Sequence, residues 1–282
     1  MKVRSALGTG LRDAACLLSL LLGLALCAAA GAVERYGYTV LEKRPQARQN
    51  FVQGLQIFDG KLYVGTGKYG QSRLLEYDFA SMNLLREVQL PPTLFGEGVT
   101  RMQDRIFQLT WRSGRLLVHD ADTFRLLRVV PIGTQGWGIT HNGTQLIYSD
   151  GSHLLYFLDP DTLAQERVLS VSINGQPLPR LNELEWIAGE IWANVWQTEQ
   201  LVRIDADSGE VIAVIDLSDL LDPAERQPDT DVLNGIAWDA AEQALWVTGK
   251  SWPWLYRIQL EPPGAAVDAG ASTDKSEPQE GF

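Results

Sequence analysis

Cysteine is almost absent from this chain of 282 residues. Both cysteines, Cys16 and Cys27, lie in an apolar run near the N-terminus, so the rest of the chain has neither a disulfide nor a thiolate ligand for zinc. The chain has only three histidines, and they are scattered: His119, His141 and His153. Scattered histidines without cysteine argue against a zinc centre, and no serine has the sequence context of a nucleophile elbow. The residues therefore predict a function that needs no metal ion.

Basic residues are also few: 24 Lys and Arg stand against 35 Asp and Glu, for a formal net charge of -11. The first 32 residues carry a net charge of +2, so the remainder carries -13. A body of this charge repels nucleic acid and anionic lipid. We therefore expect no nucleic-acid partner.

Residues 1–33 have the pattern of a targeting segment. A basic start precedes a leucine-rich apolar core from Ala14 to Leu26, and the small residues after Cys27 offer cleavage sites. The alternative is an uncleaved anchor, since no charge occurs from Ala14 to Val33, about the span that a bilayer needs. The small residues favour cleavage, and either interpretation predicts export to the periplasm or the medium, with membrane attachment only if the segment is retained. At the other end, residues 262–282 have the composition of a disordered tail.

A repeated pattern of short strands fills residues 34–261. The second strand of each repeat begins 44, 40, 45 and 54 residues after the previous one, at Leu62, Ile106, Leu146, Ile191 and Leu245. A third strand follows in every repeat, and four repeats add an outer strand: Leu84 to Leu90, Phe124 to Ile132, Leu163 to Val171, and Val211 to Leu217. A period of about 40–45 residues with four short strands is typical of a propeller blade. The sequence thus predicts an all-β, five-bladed β-propeller.

The fifth repeat stops at Leu260 without an outer strand. The segment from Tyr36 to Glu42 has an alternating strand pattern and can supply it. We therefore expect the N-terminal strand to close the last blade, which would also cover an exposed sheet edge.

Two polar features lie outside the strands. Asp219 to Thr230 is an insertion that could form a short helix over one face. Each third strand of the first four repeats ends at an aspartate with Ser or Thr three residues later: Asp78, Asp120, Asp159 and Asp205. This pattern predicts turns capped by the aspartate side chain, and calcium ligation is the alternative. Recurrence in every complete repeat favours the turn.

Superposition of the repeats brings unlike residues to equivalent positions. The position before the first strand holds Gln53, Glu97, Trp137, Asn182 and Asn234. The position five residues after the start of the second strand holds Gly67, Trp111, Gly151, Trp196 and Lys250. Because the first strands of a propeller line its channel, these positions form two adjacent rings at one end. An acid, a base, amides and indoles together indicate a site. The alternative is structural, with the tryptophans as core and Glu97 and Lys250 as an ion pair that plugs the channel.

Short motifs around these rings follow one another in a recognisable order: Phe51-Val-Gln-Gly-Leu, Tyr69-Gly-Gln-Ser, Phe95-Gly-Glu-Gly-Val-Thr, Gln108-Leu-Thr-Trp, Gly136-Trp-Gly-Ile-Thr, Ser149-Asp-Gly-Ser, Leu181-Asn-Glu-Leu-Glu, Trp192-Ala-Asn-Val-Trp, Asp231-Val-Leu-Asn-Gly-Ile-Ala-Trp and Val247-Thr-Gly-Lys. In these motifs the chain resembles the plant and bacterial type of glutaminyl-peptide cyclotransferase, the glutamine cyclotransferase family. The resemblance covers residues 51–260. Lys68 and Gln56 depart from the usual pattern, and neither belongs to a ring.

The resemblance implies a five-bladed propeller that converts N-terminal glutamine of peptides and proteins to pyroglutamate with loss of ammonia. For this reaction Glu97, the one acid of the rings, would transfer the proton, and Lys250 and Asn182 would stabilise the developing oxyanion. The remaining predicted site residues would bind the substrate: Phe51, Gln53, Trp111, Trp137, Trp196 and Asn234. We expect a monomer. The alternative function is a non-catalytic exported propeller that binds peptides or sugars through its tryptophans.

Overall fold

The computed structural model describes residues 33–263, and within them the chain is all-β, with 22 strands and one 3-10 helix. The predicted targeting segment, apart from Val33, and the predicted tail, apart from Pro262 and Pro263, lie outside the described residues. No helix in the described range is long and apolar enough to cross a membrane.

The first three repeats each form one four-stranded antiparallel sheet. The first sheet contains β2 (Val52–Phe58), β3 (Lys61–Thr66), β4 (Arg73–Asp78) and β5 (Leu84–Gln89). The second contains β6 (Gly96–Met102), β7 (Arg105–Thr110), β8 (Arg115–Asp120) and β9 (Leu126–Pro131). The third contains β10 (Ile139–His141), β11 (Leu146–Ser149), β12 (Leu154–Leu158) and β13 (Gln165–Ser170). The predicted second and third strands are confirmed, and the outer strands are slightly shorter than predicted.

The last two repeats belong to one eight-stranded sheet in which the N-terminal strand joins two groups of strands. The fourth repeat contains β16 (Leu181–Ile187), β17 (Glu190–Val195), β18 (Gln200–Asp205) and β19 (Val211–Asp216). The fifth contains β20 (Leu233–Asp239), β21 (Ala244–Gly249) and β22 (Trp254–Glu261), and β1 (Glu34–Pro45) pairs with β22. A small hairpin, β14 (Ser172–Ile173) and β15 (Gln176–Pro177), precedes the fourth repeat and was not predicted.

Strand β1 supplies the outer strand that the fifth repeat lacks. It pairs antiparallel with β22 from Gly37 opposite Glu261 to Pro45 opposite Trp254, with one irregularity between Val40 and Glu42. The predicted pairing of the N-terminal strand is confirmed, and the strand is longer than predicted. Its first three residues also pair parallel with β19, which was not predicted. The chain thereby connects the fifth repeat to the fourth.

Close backbone contacts between first strands bring successive repeats together. A Cβ atom on Gly54 would lie 2.2 Å from the amide nitrogen of Val99, and one on Gly138 would lie 2.0 Å from the carbonyl oxygen of Asn182. Such distances leave no room for a side chain, so glycine is required at these positions. Apolar side chains fill the space between neighbouring sheets, as where Leu155 of the third repeat packs with Leu184 and Ile191 of the fourth.

The polar elements outside the core have simple local structures. In the turn after β4, the Asp78 carboxylate accepts the backbone N–H of Ser81 at 2.8 Å and its hydroxyl at 2.6 Å. The same two bonds recur in the other three turns, at Asp120, Asp159 and Asp205. The predicted capped turns are therefore confirmed. The insertion after β19 contains one short 3-10 helix, Pro223–Glu225.

Candidate active site

One pocket of about 270 Å³ opens where the first strands begin and the second strands end. Its lining consists of Phe51, Gln53, Phe95, Glu97, Trp111, Trp137, Asn182, Trp196, Asp231 and Lys250. The structure thus brings together eight of the nine predicted site residues, which come from all five repeats. Asn234 is the ninth, and it does not line the pocket.

The backbone on both sides of Glu97 is fixed by hydrogen bonds to neighbouring segments. The N–H of Gly96 donates to the Ser72 hydroxyl at 2.9 Å, and the N–H of Gly98 donates to the Trp137 carbonyl at 2.7 Å. A Cβ atom on Gly98 would lie 2.7 Å from that same carbonyl oxygen. Gly98 therefore lets the strand of Glu97 lie directly against the third repeat, and Gly96, where a Cβ atom would lie 2.6 Å from the Thr66 carbonyl oxygen, lets it lie against the first.

The Glu97 carboxylate is buried, with 4% of the residue exposed. Its Oε1 accepts a hydrogen bond from the Gln53 side-chain amide at 3.1 Å. Burial raises the pKa of Glu97 well above 4.5, while the positive charge of Lys250 opposes that shift. Burial is the larger of the two effects on this pKa.

Burial shifts the pKa of Lys250 in the opposite direction from that of Glu97. Burial lowers its pKa, and the charges of Glu97 and Asp231 oppose that shift. Its Nζ atom lies 5.2 Å from the centroid of the Phe51 ring, within range of a cation–π interaction. Among the described residues, no ion pair within 4.0 Å joins Lys250 to Glu97. The structural alternative of a direct ion pair plugging the channel is therefore not what the geometry shows.

Aromatic rings form most of the pocket wall. Trp137 packs edge-to-face on Trp196 with 5.4 Å between ring centroids, and Phe95 packs on Trp111 at 5.4 Å. Glycines of the second ring make this packing possible, because a Cβ atom on Gly151 would lie 2.6 Å from the Trp137 ring. The equivalent Gly67 lies under Phe95 in the same way, at 2.4 Å. Gly67 and Gly151 thus leave room for the rings of Phe95 and Trp137, and the equivalent position in the second and fourth repeats is filled by Trp111 and Trp196.

Two buried polar atoms in this wall have no hydrogen-bond partner among the described residues: Asn182 Oδ1 and Trp137 Nε1. Buried polar atoms are nearly always paired in proteins. An acceptor and a donor left without partners in a pocket are therefore suited to a polar ligand that supplies one donor and one acceptor.

Asn234 was predicted to bind substrate but lies behind the wall. It is fully buried, and its side-chain amide donates to the Val52 carbonyl at 3.1 Å and to Gln53 Oε1 at 3.5 Å. It therefore orients Gln53, whose own amide group contacts Glu97.

Two lining residues were not predicted, Phe95 and Asp231. Phe95 lies two residues before Glu97, and the strand alternation there could have placed both side chains on one face. Asp231 directly follows the insertion, and its N–H donates to the Lys250 carbonyl at 3.0 Å. Superposition of repeats had no equivalent position from which to find it.

Metal ligands do not come together in the part of the chain that the structure describes: no group of three or more His, Cys, Asp or Glu could hold an ion. His119 bonds the carbonyl of Phe124 at 3.2 Å, and His141 bonds that of Arg101 at 3.0 Å. Burial lowers the pKa of both imidazoles.

The four-stranded sheets are arranged as in a propeller and surround an aromatic pocket that contains an acid, a base and amides. This combination is typical of an enzyme built on β-sheets. Comparison with known proteins places the chain more narrowly. The family model for glutamine cyclotransferase matches residues 14–260. A glutaminyl-peptide cyclotransferase of Arabidopsis thaliana is 37% identical over 235 residues, which are 80% of this chain and 72% of that protein. The crystal structure of the glutaminyl cyclase of Myxococcus xanthus superposes with a TM-score of 0.75 at 30% identity, covering 82% of this chain and 99% of that one. The chain belongs to the glutamine cyclotransferase family, as its motifs predict.

Proposed function

We propose that this protein is a glutaminyl-peptide cyclotransferase that converts N-terminal glutamine of peptides and proteins to pyroglutamate and ammonia. The observation that carries the proposal is the buried Glu97 carboxylate in an aromatic pocket, with a lysine and two amides around it. A sugar- or peptide-binding pocket needs aromatic rings and amides but no buried acid with a raised pKa.

The reaction is a ring closure within one substrate. The α-amino nitrogen forms a bond to the γ-carbonyl carbon, and the bond from that carbon to the amide nitrogen breaks. Nucleophile and electrophile belong to the same residue, so holding the folded conformer supplies much of the catalysis. The indoles of Trp137 and Trp196 have the size and packing to confine a glutamine side chain in that conformer.

A proton must move from the attacking nitrogen to the departing one. Glu97 can accept it from the amine and return it to the leaving group as ammonia, so that the carboxylate is regenerated. Burial suits this role, because a raised pKa makes the Glu97 carboxylate a stronger base for the amine proton. Gln53 keeps the carboxylate in place by its bond to Oε1.

Negative charge develops on the γ-carbonyl oxygen when the ring closes. Lys250 and the side-chain amide of Asn182 are donors on the pocket wall that can stabilise this oxygen. The aromatic rings exclude water, which strengthens these interactions and limits hydrolysis of the same amide to glutamate.

The blade count, the location and the oligomeric state of the protein belong to the same proposal. We infer that residues 34–261 form a five-bladed propeller, because five sets of four strands include β1 as the last member. We also infer that the N-terminal 33 residues direct export to the periplasm or medium, and that the protein acts as a monomer on peptides without binding nucleic acid.

The direct test is to incubate the purified protein with a dipeptide that begins with glutamine. We expect release of ammonia together with a peptide lighter by one ammonia and blocked at its N-terminus. A substrate beginning with asparagine is the control, because its shorter side chain cannot close the five-membered ring. If the protein binds glutamine peptides but releases no ammonia, the non-catalytic binding function takes the place of this proposal.

The scheme uses only side chains, so metal removal provides a second test. Prolonged treatment with a chelator should leave ammonia release unchanged. Loss of activity that returns when zinc is added would contradict the scheme.

A further inference from the structure

A second depression, a groove of about 500 Å³, lies beside the pocket and is lined by residues of the fourth repeat and of the segment that leads into the fifth. Its lining consists of Gln197, Thr198, Glu199, Gln200, Ser218, Arg226 and residues 230–233. Asp231 lines both the pocket and the groove. Nothing in the proposed chemistry uses the groove.

On this side of the pocket, residues that are adjacent in the chain line the pocket and the groove. Trp196 lines the pocket, and the next residues along the chain, Gln197 to Gln200, line the groove. On the opposite side, Asp231 belongs to both, and its neighbours Val232 and Leu233 line the groove. The ion pair between Arg226 and Glu199, at 3.0 Å, connects the insertion to the fourth repeat beside the groove. Pocket and groove therefore adjoin at Asp231.

We propose that this groove binds the residues that follow the N-terminal glutamine of a peptide substrate, and that Asp231 favours a basic residue directly after the glutamine. The inference rests on the proposed function. The pocket has room for little more than a glutamine, so the rest of the peptide must leave through an opening. The groove is lined by amides and hydroxyls, from Gln197, Gln200 and Thr230 among others, which suit the polar backbone of an extended peptide.

Charge gives the groove its selectivity. The segment from Asp219 to Asp231 contains five acids and one base, Arg226. Because Arg226 is paired with Glu199, the exposed carboxylate of Asp231 is, among the described residues, the unpaired charge that lines both the pocket and the groove. Such a wall attracts a cationic side chain and repels an acidic one.

The opposite rim of the pocket carries the reverse charge. Lys68 lies over the Phe51 ring at 4.8 Å, and Arg112 lies over the Trp111 ring at 4.1 Å. A peptide that left over this rim would favour an acidic residue after the glutamine. The two routes therefore predict opposite preferences, and a single measurement separates them.

The experiment compares kcat/KM for two tetrapeptide amides, Gln-Lys-Ala-Ala and Gln-Glu-Ala-Ala, at low ionic strength. Exposed charge pairs contribute modestly, so we expect a preference for the lysine peptide of about two- to five-fold. The preference should shrink with added salt and approach one in Asp231→Asn. That substitution keeps the Oδ1 acceptor that receives the N–H of Val232 at 2.6 Å. Asp122→Asn is the matched control, because Asp122 is exposed in the turn at the end of β8 away from Trp111; it should keep the preference.

A steric variant tests occupation of the groove independently of charge. Gln200→Trp places a large ring at the start of β18 without removing a backbone hydrogen bond. We expect the ratio of kcat/KM for the tetrapeptide amide to that for glutaminamide to fall several-fold, mainly through KM, because glutaminamide has nothing beyond the pocket. A melting curve checks that the variant is folded.

Each outcome has a distinct meaning. No ammonia from glutaminamide or either peptide with the wild-type protein would overturn the proposed function itself. Turnover of glutaminamide without a charge preference, with an unchanged ratio in Gln200→Trp, would overturn the groove alone. A preference for the glutamate peptide would also overturn it and would place the peptide over Lys68 and Arg112.

Discussion

Glu97 and Lys250 line the same pocket, and burial opposes the charged form of both. Burial raises the pKa of the carboxylate and lowers that of the ammonium, while the attraction between them resists both shifts. A base that is neither fully solvated nor directly ion-paired is available to take a proton from a bound amine. The pocket therefore keeps a reactive carboxylate. The cost is a lower stability of the fold, because the attraction between the two buried groups does not fully offset their desolvation.

The first prediction concerns Glu97→Gln, which keeps the shape of the side chain and removes the proton carrier. General acid–base groups typically contribute about 10²–10⁴-fold, so kcat for ammonia release should fall by at least that range. The melting temperature should stay the same or rise, because a buried ionisable group is removed. Near-normal turnover by the folded variant would exclude Glu97 from the mechanism.

The second prediction concerns the pH dependence of the reaction in Lys250→Met. Lys250 favours the ionised form of Glu97, so its removal should raise the pKa of that carboxylate further. Activity that requires ionised Glu97 rises as pH passes its pKa. The acidic limb of kcat/KM against pH should therefore move to higher pH, in addition to a loss of rate from the missing oxyanion donor.

Lys43→Met is the matched control for this shift. Lys43 lies over the Tyr256 ring at 5.2 Å, so it also packs on an aromatic ring but does not line the pocket. Removal of the Lys43 charge should leave the acidic limb of kcat/KM at the same pH as in the wild type. A limb that moves to lower pH in Lys250→Met, or that does not move, would show that the ionisation of Glu97 does not govern it.

At the scale of strands and turns, the repeated pattern explains what could be predicted. Short strands recur with a period of about 40–45 residues, so the units, the role of β1 and seven of the eight predicted site residues that line the pocket follow from the repeat, whereas Phe51 came from the family resemblance. Features that do not recur in the other repeats could not be found by superposition. Asp231 directly follows an insertion, the strands β14 and β15 have two residues each, and the depth of Asn234 depends on its side-chain direction rather than its position.

The third prediction concerns β1. Tyr36 and Tyr38 pack against the apolar cluster shared by the last two repeats, and Arg44 stacks on the rings of Phe79 and Trp246 at 4.3 and 4.5 Å. A chain that begins at Gln49 loses these contacts and exposes the edge of β22. It should melt at a lower temperature or aggregate, as followed by thermal denaturation and light scattering. A chain that begins at Val33 keeps β1 and is the control; equal melting temperatures for the two would contradict the closure.

For the molecule as a whole, two further carboxylates lie where the first strands meet. Glu183 occupies the position that is glycine in the other four repeats, and its two oxygens accept the N–H groups of Leu55 at 3.2 Å and Ile236 at 2.8 Å. It thereby connects the fourth repeat to the first and the fifth. Glu185 accepts the N–H of Trp238 at 3.0 Å and the hydroxyl of Thr140 at 3.4 Å, which connects the fourth repeat to the fifth and the third. These carboxylates hold the sheets together around the centre.

That arrangement makes the stability of the fold depend on pH. Burial raises the pKa of Glu185 from 4.5 to about 8, and burial together with repulsion from Glu185 raises that of Glu183 well above 4.5. Between pH 4.5 and about 8, the folded protein therefore holds a proton on Glu185 that the unfolded chain has lost. Since the folded state binds more protons in this window, the free energy of unfolding falls as pH rises, by about 1.4 kcal/mol per pH unit for one full proton.

The last prediction follows from this sign. Glu185→Gln keeps an oxygen for the N–H of Trp238 but cannot ionise, so it should remain folded and lose less stability between pH 5 and 8 than the wild type. It also removes the repulsion that raises the pKa of Glu183, which flattens the dependence further. The measurement is the free energy of unfolding from urea titrations at several pH values, with Glu242→Gln showing what the same substitution does on the surface. A slope in Glu185→Gln equal to that of the wild type would show that the proton is held elsewhere, with Glu97 and Glu183 the next groups to test.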